Sequence, residues 1–256
     1  LEKITSATVP QIDSSRADSS FDAAIAALQE KNFTITFTSG TSGKFSFHPR
    51  DALTWRRQQY CYGSAIAELL GSFYDPGIAV MLVTPKPDKT HLFLGRATGM
   101  VYDVLFEKGN VTPLLDARLT TETIRIASGR TKGIREWMIG KLANYVRARK
   151  VSAFAEKLEG YAAQKRKVLL GGPPSVMNVV LSKLQEKKKE LYLGNNGFII
   201  TAGGWKMRGS APMPEKECRE LIKERLGIPD ENCRDFYGMS ECSCSFPGCE
   251  GHYHHI

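Results

Sequence analysis

Residues 38–44 read TSGTSGK. Ser39, Thr41 and Ser42 supply hydroxyl donors, Gly40 and Gly43 let backbone N–H groups turn toward one point, and Lys44 adds a cation. Amides converging beside hydroxyls and an ammonium make a nest for an anion, and phosphate is an anion that uses all three. The loop is not a Walker-type phosphate loop. That motif places four residues between its glycines and a Ser or Thr after its Lys, whereas two residues separate Gly40 from Gly43 and Phe45 follows Lys44. A Walker loop also opens a helix, and here the following KFSFHP alternates as a strand does. The loop reads as a connection between paired strands. A plain Gly/Ser hairpin turn is the alternative, but a turn needs fewer such residues than this run contains.

Two further groups lie in the carboxyl half. Gly203-Gly204 end one apolar run; Tyr237-Gly238 end another and lead into Ser240-Glu241. An aromatic face and a bare backbone suit a purine, and a hydroxyl beside a carboxylate can serve a phosphate and its metal from one loop. Taken singly, Tyr237 reads as a core tyrosine and Gly203-Gly204 as a turn. The segment ECSCSFPGCEGHYHHI (241–256) holds three Cys and three His. Cys242-x-Cys244 and Cys249-x-x-His252 have spacings that Zn²⁺ uses. A thiolate nucleophile activated by His252 or His254 is a second reading. Simple packing along a cleft is a third.

Elements must hold these groups in place. FDAAIAALQEKN (21–32) reads as a short helix and FTITF (33–37) as a strand. Asp51 caps a long helix whose apolar stripe runs Trp55, Tyr62, Ile66, Leu69. GIAVMLVTP (77–85) is a buried strand. Residues 135–149 and 151–165 read as two helices, with Met138, Leu142 and Tyr145 marking one face of the first. KVLLGGPP (167–174), GFIITAGG (197–204) and CRDFYGMSE (233–241) are strands breaking into loops. The helix after the first buries Val176, Val180, Leu181 and Leu184; the next opens at Pro214, puts Cys218, Leu221, Ile222 and Arg225 on one face and closes at Gly227. Strand–helix alternation predicts an α/β fold with a mostly parallel sheet, and such sheets bind ligands at the carboxyl ends of their strands.

The chain has 256 residues, 42% of them hydrophobic, enough for a sizeable core. No apolar run reaches the roughly 18 residues of a membrane span. Six unevenly placed cysteines do not form a disulfide framework, which predicts a reducing cytoplasm. The formal charge is +8, concentrated in QKRK (164–167) and KLQEKKKE (183–190). Solvated helix ends are one reading of these runs; a phosphate-bearing ligand or an acidic partner is the other. No aromatic residues interleave the lysines, which argues against nucleic acid.

TSGTSGK, AGGWK (202–206) and FYGMSE, in this order and rough spacing, resemble the adenylate-forming superfamily of acyl-CoA synthetases, peptide-synthetase adenylation domains and luciferases. GGWK preceded by VLLGGPPSVMNVV resembles more narrowly the acyl-protein synthetases of bacterial fatty-acid reductase systems, with phenylacetate–CoA ligase a near neighbour. The likeness spans about residues 33–256 and leaves 1–32 as an extension and helix. It implies attack of a carboxylate, here a fatty acid, on the α-phosphate of ATP. The acyl-adenylate then passes its acyl group to a thiol of coenzyme A, a carrier protein or a protein cysteine. By matched position, Ser39 to Lys44 hold the β- and γ-phosphates, Gly203 and Gly204 approach the adenine, and Tyr237, with Gly238 after it, stacks on it. Ser240 donates to the α-phosphate and Glu241 holds Mg²⁺. Lys44, Ser240 and Glu241 are the implied catalytic set.

There are departures from the family pattern. Family members carry Pro-Lys after the loop glycine, where Lys44-Phe45 stands here, and Ser240 replaces the usual Thr. Fifteen residues follow Glu241. The family's ribose-binding Asp, hinge and mobile lid lie farther on, so the resemblance makes this chain a piece of a longer enzyme.

Overall fold

The computed structural model describes residues 21–38, 46–120, 123, 134–186, 191–204, 213–242 and 244–254. Helix α1 (Phe21–Gln29) packs Ile25 and Leu28 on Ile35 of β1 (Phe33–Thr38). β1 pairs antiparallel with β2 (Ser46–Asp51), so the Ser39–Lys44 segment does connect paired strands. Asp51 accepts from Thr54 N at 2.7 Å and starts α2 (Ala52–Leu70), as its capping role predicts.

Among the described residues the second sheet has six strands in the order β4-β3-β5-β6-β7-β8. These are β3 (Ala79–Pro85), β4 (Val111–Leu115), β5 (Val168–Gly172), β6 (Gly197–Ala202), β7 (Cys233–Gly238) and β8 (Ser245–Pro247). The first five run parallel and β8 is antiparallel to β7. The expected α/β class with a mostly parallel sheet is what the molecule has. Between the strands lie α3 (Phe93–Ala97), α4 (Ile134–Ala163), α5 (Pro174–Glu186) and α6 (Glu215–Leu226).

Because side chains alternate along a strand, each strand feeds two cores. Met81, Leu170, Ile199 and Cys233 meet α4, α5 and α6 on one face. Val80, Leu82, Leu169, Phe198 and Phe236 meet α2 and the α3 region on the other. Burial on both faces explains the unbroken apolar runs of β3 and β5. A buried side chain of this size contributes about 1.5–3 kcal/mol, so these two layers hold the sheet rigid beneath the site.

Two expectations fail in α4. One helix of 30 residues replaces the expected pair. Arg147-Ala148-Arg149-Lys150 contains only good helix formers and no Gly or Pro, so nothing stops the helix there. The expected inward face is also not inward: Leu142 and Tyr145 are 63% and 61% exposed, and among the described side chains of α4 the buried ones begin at Val151. The side chain of Met138 lies outside the described residues.

Candidate active site

The parallel strands all point their carboxyl ends the same way, and the hairpin is fixed at that end. Phe37 N donates to His91 O at 2.9 Å, in the segment between β3 and α3. This brings β2 and the start of α2 against the loop after β7. Three tethers result. Arg50 Nη2 donates to the Ser240 carbonyl, while its Nη1 donates to Thr36 Oγ1 at 3.3 Å. Gln58 Nε2 donates to Cys242 O at 2.6 Å. His48 Nε2 lies 3.1 Å from Ser240 Oγ.

Ser240 is buried, and its hydroxyl donates to Glu241 Oε2 at 3.0 Å. That fixes the proton order: His48 Nε2–H donates to Ser240 Oγ, and Ser240 O–H donates to Glu241. Burial is the main reason that His48 stays below its ordinary pKa, with Arg50 adding to it against the pull of Glu241. His48 is therefore neutral at pH 7, and its 4.0 Å approach to Glu241 is not an ion pair. Glu241 is held ionised below the usual carboxylate range, by its own backbone N–H first, then by Ser240, His48 and Arg50. Its side chain is 61% exposed, so one ionised oxygen face remains open beside a buried, oriented hydroxyl. That donor set fits Mg²⁺, which keeps most of its waters and takes one or two carboxylates together with substrate phosphates.

Tyr237 is 47% exposed, with its ring 6.2 Å from Phe246 and 5.9 Å from His254. Gly203 and Gly204 follow β6 with φ of +87° and +64°, a left-handed region that glycine enters without strain. A Cβ built on Gly204 meets nothing within 4 Å among the described residues. Next to it a cleft of about 200 Å³ opens between β6, β7 and α6, with Thr201, Gly204 and Asp235 in its wall. Gly238 differs from these two. A Cβ there would meet the Tyr62 hydroxyl at 2.4 Å, so this glycine makes room for the core tyrosine beneath it. Gly203, Gly204, Tyr237, Gly238, Ser240 and Glu241 thus gather at neighbouring strand ends. Ser39, Gly40, Thr41, Ser42, Gly43 and Lys44 lie outside the described residues.

The Cys/His segment is built otherwise. His252 bonds Asp230 at 2.8 Å; His254 bonds Phe246 O at 2.8 Å and lies 3.3 Å from Asp235. No group of three or more His, Cys, Asp or Glu that could hold a metal occurs among the described residues. Zinc finds no support there, and both histidines are turned to carboxylates or a carbonyl instead. The basic runs separate too. Arg166 is tied to Gly77 O and Asn110 at 3.0 and 2.7 Å and so serves the fold, whereas Lys187, Lys188 and Lys189 fall outside the described residues. No described helix is long and apolar enough to cross a membrane.

His48, Arg50 and Gln58 were not among the sequence-derived candidates. The signal was present: His48 and Arg50 stand two apart on one face of a strand that directly follows the Gly/Ser loop. Their target, 190 residues away, carries no mark in the sequence that pairs it with them.

Comparison with solved structures finds likenesses to the fold. 2-Hydroxyisobutyryl-CoA ligase with 2-HIB-AMP and CoA, in its thioesterification state, superposes with a TM-score of 0.53 at 14% identity, over 92% of this chain and 39% of that one. An open conformation of that ligase gives 0.51 at 13% identity, over 91% and 43%. The fold is that of these ligases. The chain spans about two-fifths of their length. No protein-family model and no curated protein sequence matches it.

Proposed function

We propose that this chain is the nucleotide-facing core of an AMP-forming acid–thiol ligase, with residues 33–256 as that core and 1–32 as an extension. The observation that carries the reading is the Ser240–Glu241 pair. A buried hydroxyl, oriented by His48, stands next to an exposed ionised carboxylate at the carboxyl end of a parallel strand. The hairpin whose connecting segment is the Gly/Ser/Thr loop packs against it.

In this reading Ser39 to Lys44 hold the β- and γ-phosphates, Tyr237 stacks on the adenine, and the cleft by Gly204 and Asp235 favours placing the purine there. A carboxylate oxygen of the acid attacks the α-phosphorus. The bond to the bridging oxygen breaks, and pyrophosphate leaves with the electron pair. Ser240, its one proton turned from Glu241 to the ligand, donates to an α-phosphate oxygen. Glu241 would hold Mg²⁺, which supplies neutralisation of phosphate charge. A thiolate then attacks the acyl carbonyl and AMP leaves. Positioning and charge account for most of the rate in such displacements. For the acid we favour a fatty acid, on the motif likeness, and for the acceptor either coenzyme A or a protein cysteine.

The test is acid-dependent exchange of pyrophosphate into ATP by the full natural protein with Mg²⁺, over short, medium and long fatty acids and aryl acids. Exchange with none of them overturns the proposal. Glu241→Gln should slow exchange by about 10²-fold or more, while ATP binding weakens less than about tenfold, because the metal acts on charge developed in the transition state. Equal losses in both would make Glu241 a structural residue.

A further inference from the structure

The side of α4 turned away from the core changes character along the helix. In its second half Val151, Phe154, Ala155 and Leu158 are buried, and Ala153, Glu156 and Gly160 on the opposite side are exposed. That is the ordinary division of a surface helix. In the first half the outer side is apolar. Leu142, Tyr145 and Val146 are exposed, and at 3.6 residues per turn they share with Arg149 the side of the helix that Ala153, Glu156 and Gly160 occupy farther on. Every described side chain from 141 to 150 is exposed. Three adjoining large apolar side chains are not the scatter of single ones that any surface carries. The spacing of Leu142, Tyr145, Val146 and Arg149 is i, i+3, i+4, i+7, by which a helix anchors on a partner.

The charge around this stripe has one sign. Residues 137–155 contain Lys141, Arg147, Arg149 and Lys150 and no Asp or Glu. Arg149 stands in the stripe, and Lys141 and Lys150, each four residues from Tyr145 and Val146 respectively, flank it. A second copy of the chain laid on the stripe would set cation against cation. An anionic bilayer fits poorly as well. Arg149 interrupts the apolar line instead of bordering it, and Glu156 is exposed on the same side two turns farther on. An acidic helix with one apolar face answers every feature. Its apolar residues cover Leu142, Tyr145 and Val146, and its carboxylates reach Arg149 and the flanking lysines, as e and g charges do across a coiled coil.

We propose that the first half of α4 docks an acidic amphipathic helix of another protein on the stripe Leu142, Tyr145, Val146 and Arg149. The surface belongs to the fold and does not depend on the ligase reading.

The probe is a synthetic acidic zipper helix, with Leu at its a and d positions and Glu at e and g, carrying a dye whose anisotropy reports binding to the full natural protein. Saturable binding below about 1 mM is expected, weakening as salt rises. Leu142→Gln combined with Val146→Gln should weaken it about tenfold or more, and Arg149→Gln alone about threefold. Neither variant should shift the melting temperature by more than a degree or so, because exposed side chains contribute little to stability. No saturation up to about 1 mM overturns the inference. So does an affinity that both variants leave unchanged, which puts the peptide elsewhere, such as on the KLQEKKKE run. A double variant that melts well below the parent overturns it too, since the stripe is then already covered within the natural protein. Two further results would replace the occupant. One is attachment to phosphatidylserine vesicles that the double variant loses, without peptide binding, which makes it a bilayer. The other is self-association in sedimentation that the double variant abolishes, again without peptide binding, which makes it a second copy.

Discussion

Gly238 sits inside the motif-like run Tyr237–Glu241, where a glycine invites the reading that a ligand approaches it. The structure supplies a different reason, and the difference is measurable. A Cβ added at Gly238 would stand 2.4 Å from Tyr62 Oη, 3.2 Å from Cζ and 3.4 Å from Cε1. Non-bonded atoms sit best at about 3.5 Å or more, so the oxygen contact is short by about 1 Å and the ring contacts by a few tenths. Tyr62 has little room to yield: it is 6% exposed and packs at 5.9 Å from Phe93 and 5.2 Å from Phe236. Gly238→Ala should therefore cost about 1–3 kcal/mol as overpacking, or roughly 2–12 °C in melting temperature for a chain of this size.

Tyr62→Phe supplies the control. Its hydroxyl is buried with no partner among the described residues, so removing it should be neutral or stabilising by up to about 1 kcal/mol. In the double variant only the milder ring contacts remain, and the alanine should cost less than about 1 kcal/mol. The coupling is then about 1–2 kcal/mol in the rescuing direction. Urea unfolding of the four proteins, followed by circular dichroism, measures it. Additivity within about 0.5 kcal/mol would refute the steric account. Nucleotide binding adds an independent check. If a ligand rather than Tyr62 requires the glycine, Gly238→Ala loses affinity whether or not Tyr62 is present.

The other predictions concern the tethers and the loop before α6. Arg50→Met should destabilise by about 1–3 kcal/mol, the lost charged hydrogen bond to Ser240 O being partly offset by relief of guanidinium burial; a variant as stable as the parent would show that Arg50 holds nothing. His48 is depressed in the folded state, so its contribution is complete above the unfolded value of about 6.5 and is lost as pH falls from there through the lower folded pKa. The melting temperature of His48→Gln should accordingly vary less than that of the parent between about pH 6.5 and 5, and equal slopes would reject the assignment. Gly204→Asn should be tolerated better than Gly204→Val, since φ is +64° and Asn enters that region more readily than a β-branched residue; equal losses in urea stability would contradict this.

Much of the fold could be read from periodicity, because both-face burial writes itself as apolar runs. β3, β5, β6 and β7 fall where those runs lie, and α6 is bounded by Pro214 and Gly227 as predicted. What escaped has identifiable causes. β4 carries Pro113 and β8 carries Pro247, residues that argue against a strand; both are outermost in the sheet, where a missing N–H costs little. Residues 135–149 and 151–165 were expected to be two helices and are one, α4. Among its described side chains, Leu142 and Tyr145 are exposed and Val151, Phe154 and Leu158 buried, a change of environment within one continuous helix. At the site, side chains named from local runs gathered at β6 and β7, whereas His48, Arg50 and Gln58 were invisible because their bonds span the chain.

Those long bonds say what the hairpin is for. A buried arginine is not the stable choice between β1 and the β7 loop. Replacing such a group by a well-packed apolar one is often neutral or stabilising, since desolvation consumes most of what the charge returns. Burial does lower the Arg50 pKa, and the ring of Phe93, 5.9 Å away, offsets only part of that cost. What an apolar residue cannot do is bind a carbonyl. Arg50 grips the Ser240 carbonyl and His48 the Ser240 hydroxyl, so main chain and side chain are both set from one strand. That strand begins two residues after Lys44. The strand that grips Ser240 is thus the one that continues in sequence from the Gly/Ser/Thr loop. A bond to a carbonyl and a bond to a hydroxyl fix the orientation of Ser240, which an apolar residue filling the same space would leave unset.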